Sequence, residues 1–111
     1  MTVVVTRDVA DRFRGFLASC MLEIAPGVYT APGMNPAARD QVWRVLEGWF
    51  HEIGGGSIVM TWTDKTAAAG QSVRVLGLPP VEIVNYDGFF LSFRRSTNGK
   101  KAEEVPENNG L

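Results

Sequence analysis

The sequence predicts an α+β fold, and three observations carry that reading. Alternating or β-branched runs at 2–6, 57–63 and 72–77 have the two-residue period of strands. Apolar side chains recur at helical spacing in two stretches, Phe13, Phe16, Leu17 and Cys20, then Val42, Val45, Leu46, Trp49 and Ile53. Between them, "LEIAPGVYTA" (22–31) sets two short apolar segments around Pro26-Gly27, a turn pair that permits a tight reversal. Strand, helix, strand, strand, helix, strand is the order of a ferredoxin-like βαββαβ sandwich, with two helices over one face of an antiparallel sheet.

In chain order, "TVVVT" has the composition of a buried strand and stops at the charged pair Arg7-Asp8. Asp8, followed three residues later by Asp11, resembles a helix-capping arrangement, so the first helix is expected from Val9 to Met21. Asn35-Pro36 supplies an N-cap and a first-turn proline, and Gly54-Gly55-Gly56 ends the second helix. In "SIVMTWT", Ile58, Met60 and Trp62 alternate against Val59, Thr61 and Thr63, and "SVRVLG" follows after an alanine-containing loop. "VEIV", the turn-like "NYDG" and "FFLSF" suggest a further hairpin, or one strand broken by a turn. Residues 1–93 read as one domain, and 94–111, nearly devoid of apolar residues, as a disordered tail. The strands after residue 70 exceed what the sandwich needs. They read as the element that pairs with another chain, and a homodimer follows.

Composition limits the function classes. The chain has 111 residues, 45% of them hydrophobic, enough for one domain with a modest core, at a size where oligomerisation often helps. Eleven Lys and Arg against twelve Asp and Glu leave a net charge of -1, so any nucleic-acid site must be local. One cysteine and one histidine exclude an internal disulfide framework and a zinc cluster. With no apolar run long enough for a membrane span and no secretion signal in "MTVVVTRDV", a soluble, cytoplasmic protein is expected.

Few residues carry chemistry. The triple glycine follows a helix instead of preceding one, which makes it a cap and linker, not a phosphate loop. Cys20 falls on the apolar stripe of the first helix and reads as a buried structural thiol, and His51, near the end of the second helix, has no histidine partner. Asp8 could cap the helix or, duplicated across a two-fold axis, help hold a divalent metal; both readings stand. Arg7, Arg12 and Arg14 gather around the start of the first helix, where the backbone presents positive partial charge that suits an anion. Arg12 and Arg14 point roughly 200° apart on an ideal helix, so they flank the buried stripe and, in a dimer, would form a row able to follow a phosphate backbone. Gly15 between them suggests close approach by another backbone.

Six segments in order, "VVVT", "RFRG", "LEIAPGVY", "RDQVW", "IVMTW" and "DGFFLSF", resemble the type I-E branch of the CRISPR-associated Cas-two family over residues 2–93. The resemblance implies a ferredoxin-like homodimer between two dimers of the Cas-one integrase. In that complex it is a non-catalytic scaffold that holds captured duplex DNA by its phosphates during spacer acquisition. On this resemblance Arg12 and Arg14 match the arginine pair that contacts the DNA backbone, and Arg39 matches a further basic position completed by Val42 and Trp43. The segment from about Val81 to Arg95, with Val81, Ile83, Phe89, Phe90, Leu91 and Phe93, matches the element that docks onto Cas-one.

The chain departs from the family pattern twice. Pro79-Pro80-Val81 stands where relatives carry a basic pair, and Arg74 or Lys65 is the candidate substitute. Arg7 stands where some relatives place the metal-binding acid of a nuclease, with Asp8 one step later, and an arginine there would repel a metal ion. No cofactor is expected for the scaffold role. The alternative is a Mg²⁺-dependent endonuclease using Asp8 at the dimer interface. A third reading, a ligand-sensing regulatory domain, rests on fold analogy alone.

Overall fold

The computed structural model describes residues 1–77, 81–86 and 88–94. The predicted tail beyond Arg94 and the Pro79-Pro80 departure lie outside these residues. The chain divides into two units, Met1–Pro79 and Pro80–Leu111.

The first unit contains β1 (Thr2–Arg7), α1 (Asp11–Cys20), β2 (Leu22–Ala25), β3 (Val28–Ala31), α2 (Pro36–Ile53), β4 (Ser57–Thr63) and β5 (Gln71–Gly77). Its five strands form one antiparallel sheet in the order β2-β3-β1-β4-β5. Two helices with a sheet of this order are compatible with the ferredoxin-like sandwich that the sequence predicts. β5 is a finding of its own: it pairs with β4 along its whole length, from Ser57↔Gly77 to Thr63↔Gln71, and so extends its own chain's sheet. The sequence assigns this strand to pairing with another chain; the short link across residues 64–70 makes the neighbouring strand the nearer partner.

Alternation along the strands decides which side each residue faces. Val4, Tyr29, Ile58 and Met60 meet Phe13 and Leu17 of α1 and Val42, Trp43 and Leu46 of α2 in the core, with Met21 closing the end of α1. On the other side, Val28, Val5, Val59 and Val75 pair in a row across four strands, and Thr30, Val3, Thr61 and Val73 form the next row. Neither helix of this unit covers these rows. Val5 and Val75 are each 41% exposed, so β1, read from the composition of "TVVVT" as a buried strand, is buried on one side only. An isolated βαββαβ layer has helices for one face of its sheet and none for the other.

α2 starts and stops as its sequence dictates. Asn35 Oδ1 accepts the Ala38 N–H at 2.8 Å, Pro36 opens the helix, and the Gly54 N–H reaches the Phe50 carbonyl at 2.8 Å with Gly54 at φ 72°. Ile53 is 45% exposed because it lies in the last turn, past the core.

α1 departs from expectation at both ends. It begins at Asp11 with Ala10 as N-cap, which has no side chain to donate or accept, and Asp8 does not cap it. Asp8 instead sits at φ 55°, a left-handed conformation that Asp tolerates better than most residues, and turns the chain out of β1. At the other end Cys20 is exposed, not buried, because Met21 takes the buried position. The Cys20 thiol donates to the Phe16 carbonyl at 3.5 Å, and partial desolvation raises its pKa above the ordinary thiol range.

The triple glycine does more than end α2. Gly56 (φ 72°) lies so close to the end of β1 that an added Cβ would fall 2.2 Å from the Arg7 carbonyl oxygen and 2.4 Å from that of Asp8. Gly77 in turn approaches the Gly56 carbonyl, so the ends of β1, β4 and β5 meet through two glycines.

The second unit is a hairpin, β6 (Val81–Tyr86) against β7 (Phe89–Arg94), in register from Val81↔Arg94 to Tyr86↔Phe89, with Gly88 at φ 87° in its turn. Of the two arrangements the sequence allows for this segment, the hairpin is the one that forms. No helix among the described residues is long and apolar enough to cross a membrane.

Candidate nucleic-acid interface

Arginines laid on tryptophans dominate the helical side of the first unit. The guanidinium carbon of Arg12 lies 4.2 Å from the centroid of the Trp49 ring, which also receives Phe13 and Phe16 edge-on at 5.9 and 5.3 Å. α1 brings Arg12 to α2 in this way, while its neighbour Phe13 enters the core. Arg14, two residues on, leaves in another direction and lines a shallow depression with Thr6, Asp8, Val9, Pro26 and Gly27. Behind it the Tyr29 hydroxyl is buried with no hydrogen-bond partner. Burial chiefly, and then the charge of Glu23, push the Tyr29 pKa up, while Arg14 pulls it back. The two arginines of "RFRG" thus occupy two places, as their angular separation requires.

A second group forms around Trp62 in β4. Trp62 shares its side of the sheet with Ile58 and Met60. The register Met60↔Arg74 puts Arg74 on that side too. Arg39, from the first turn of α2, lays its guanidinium 4.1 Å from the Trp62 centroid, and Arg74 lies 4.8 Å from it. Arg74 donates to Asp40 Oδ1 at 2.9 Å, whereas Arg39 has no ion-pair partner among the described residues and its Nε is buried without an acceptor. Asp64, at the start of the β4–β5 turn, is occupied by its own loop: it accepts from the Thr66 hydroxyl and N–H and from the Ser72 hydroxyl, which together hold its carboxyl below the usual range. Lys65 is exposed in the same turn, and Arg7 is exposed at the end of β1.

Of the six basic residues that stand out in the sequence, the structure therefore joins Arg39 and Arg74, and keeps Arg12, Arg14, Arg7 and Lys65 in separate places. Trp49, Trp62 and Asp40, which organise them, carry no such signal in the sequence. Alternation with Ile58 and Met60 marks Trp62 as a residue of the helical side, but nothing local reports which arginines reach it. Trp49 and Arg39 are ten residues apart on α2, about 15 Å along its axis, so the helical side carries two separate cationic groups.

Within one chain, the Asp8 carboxylate is the sole acid lining a depression shared with Arg14, Arg7 precedes it, and the described residues contain no group of three or more His, Cys, Asp or Glu side chains able to hold a metal. Among the candidate docking residues, Phe90 and Leu91 are half-buried; the side chains of Val81, Ile83, Phe89 and Phe93 lie outside the described residues.

The family model for CRISPR-associated protein (Cas_Cas2CT1978) matches residues 1–91, which span the whole sheet, both helices and the start of β7. The chain belongs to this Cas2-type CRISPR-associated family. A role in CRISPR systems follows from that membership.

Proposed function

We propose that this chain, as a homodimer of the type I-E kind, is a non-catalytic DNA-binding scaffold of spacer acquisition, and that it docks onto the Cas-one integrase through the segment from about Val81 to Arg95. The observation that carries the reading is the contrast between the two sides of the sheet. The helical side presents guanidiniums laid on tryptophans, a form of cation that remains available to phosphate oxygens. The opposite side carries two rows of valines and threonines, with Arg7 at the end of β1 as their charged neighbour, and those rows suit a second copy of the same layer across a two-fold axis. Phosphate contacts carry no base information, so duplexes of unrelated sequence should bind alike. Fluorescence anisotropy with two such duplexes tests this, and a strong preference between them, or no binding at low salt, would overturn it.

The dimer has its own test. Light scattering of the full chain should return twice the chain mass, and Val5→Glu, which sets like charges face to face across the axis, should return the monomer mass. A monomeric wild type, or a dimer indifferent to the substitution, would place the interface elsewhere.

Neither Mg²⁺ nor any other cofactor is needed for this role. Incubation of DNA or RNA with Mg²⁺ or Mn²⁺ should give no cleavage, or very slow cleavage, unchanged by Asp8→Asn. Robust cleavage abolished by that substitution would establish the endonuclease alternative.

A further inference from the structure

We infer that Arg39 and Arg74, held on the ring of Trp62, form one phosphate-binding site, and that Asp40 is its resident counter-ion, displaced from Arg74 when a DNA phosphate arrives. The inference rests on the DNA-binding reading above and assigns a regulatory role within it.

Three features lead there. First, two guanidiniums on one indole repel each other, so an anion placed between them is attracted to both, and the one carboxylate that pairs with either among the described residues, Asp40, serves Arg74 alone. Second, Arg39 has no ion-pair partner of its own among the described residues. Its Nε is buried with no acceptor, and Asp64, whose charge attracts it, spends its oxygens on Thr66 and Ser72. Third, the Arg74–Asp40 pair is open to water, with side chains 33% and 44% exposed, and exposed ion pairs are weak enough to be exchanged. A phosphate has oxygens for both guanidiniums at once, which a carboxylate bound to one of them does not supply here. Trp62 keeps the two forks in place before the anion arrives, so little rotamer freedom is left to lose on binding.

The test is a double-mutant cycle read by anisotropy with a labelled duplex at several salt concentrations, using the full chain. Asp40→Asn keeps an oxygen acceptor for Arg74 but removes the competing charge. It should tighten binding about two- to fivefold, with the slope of log affinity against log salt unchanged, because the same phosphates are engaged once the complex forms. Arg74→Ala should weaken binding and flatten that slope by roughly 0.9 for each phosphate it no longer neutralises. In the Arg74→Ala background the gain from Asp40→Asn should fall to the charge-only gain of Glu52→Gln. Glu52→Gln, an exposed acid in the last turn of α2, reports the effect of overall charge alone, and the Asp40→Asn gain must exceed it.

An Asp40→Asn gain no larger than that of Glu52→Gln, or one that stays above the Glu52→Gln level without Arg74, overturns the inference. If the wild type binds and Arg12→Ala with Arg14→Ala weakens it while the Asp40–Arg74 cycle is flat, the scaffold reading stands and this site alone falls. If the wild type binds no duplex at all, both fall together.

Discussion

Gly56→Ala should destabilise the Met1–Pro79 unit by about 3 kcal/mol or more, whereas Gly55→Ala, one residue earlier, should cost about 1–2 kcal/mol. Both glycines have positive φ, 72° and 82°, so both substitutions strain the backbone. Only at Gly56 does the new Cβ also meet backbone, at 2.2 and 2.4 Å from the carbonyl oxygens of Arg7 and Asp8; at Gly55 there is nothing within 4 Å. A flexible side chain could swing aside, but these carbonyls end β1 and cannot move without disturbing the Arg7↔Ser57 pairing. The same carbonyls begin the short link to α1, so relief of the clash would shift Arg12 and Arg14 as well. Urea denaturation of the two variants, compared by midpoint at constant slope, measures the difference. Equal losses would show that the approach of Gly56 to β1 is not tight in solution.

This contrast also shows what could be read in the sequence. A run of glycines after an apolar helical stripe announces a helix end, and Gly54 fulfils that role through its own N–H. That Gly56 lies against the end of β1 depends on the β1–β4 register, a relation between residues some fifty positions apart in the chain, and no local pattern carries it. The helices and strands themselves were legible because period and punctuation agree: Asn35-Pro36 before α2, Pro26-Gly27 between β2 and β3, strict alternation in β4. Asp8 misled because Asp serves equally as a helix cap and as a residue tolerant of positive φ. Nothing in "RDVADRF" says which will win, and here the turn out of β1 did. Cys20 misled because helical period predicts direction but not where the packed layer stops.

The candidate interface was legible as charges and not as geometry. Arg12, Arg14, Arg39 and Arg74 stand out in an acidic chain, but their organisers are aromatic residues that sequence reading assigns to the core. Trp62 is partly core and partly a platform, and it meets Arg74 only because the β4–β5 turn fixes Met60 opposite Arg74. The depth at which a guanidinium settles on an indole is a tertiary fact. So is the neutralisation of Arg74 by Asp40, which lies 34 positions away in the chain.

Replacing Arg12 and Arg14 together by alanine should produce the largest loss of DNA binding of any substitution considered. Each chain loses two charges, hence four per dimer under the proposed assembly, and if all four meet phosphates the slope of log affinity against log salt should flatten by roughly 0.9 for each. Duplexes of unrelated sequence should lose affinity about equally, since backbone contacts carry no base information. The fold should survive. Arg12 covers one face of Trp49 at 4.2 Å, an exposed cation–π contact worth about 0.5–1 kcal/mol, and Arg14 lines an open depression, while Phe13 and Leu17 continue to fill the core. Thermal unfolding therefore serves as the control, and a small loss there beside a large loss of binding separates recognition from stability. The two single variants add a further check. Because Arg12 and Arg14 leave α1 in different directions and share no partner, their effects on binding should be close to additive. A folded double variant that binds duplex and supports integration with Cas-one as well as the wild type would reduce both arginines to ordinary surface residues, and the backbone contact would have to be sought around Trp62.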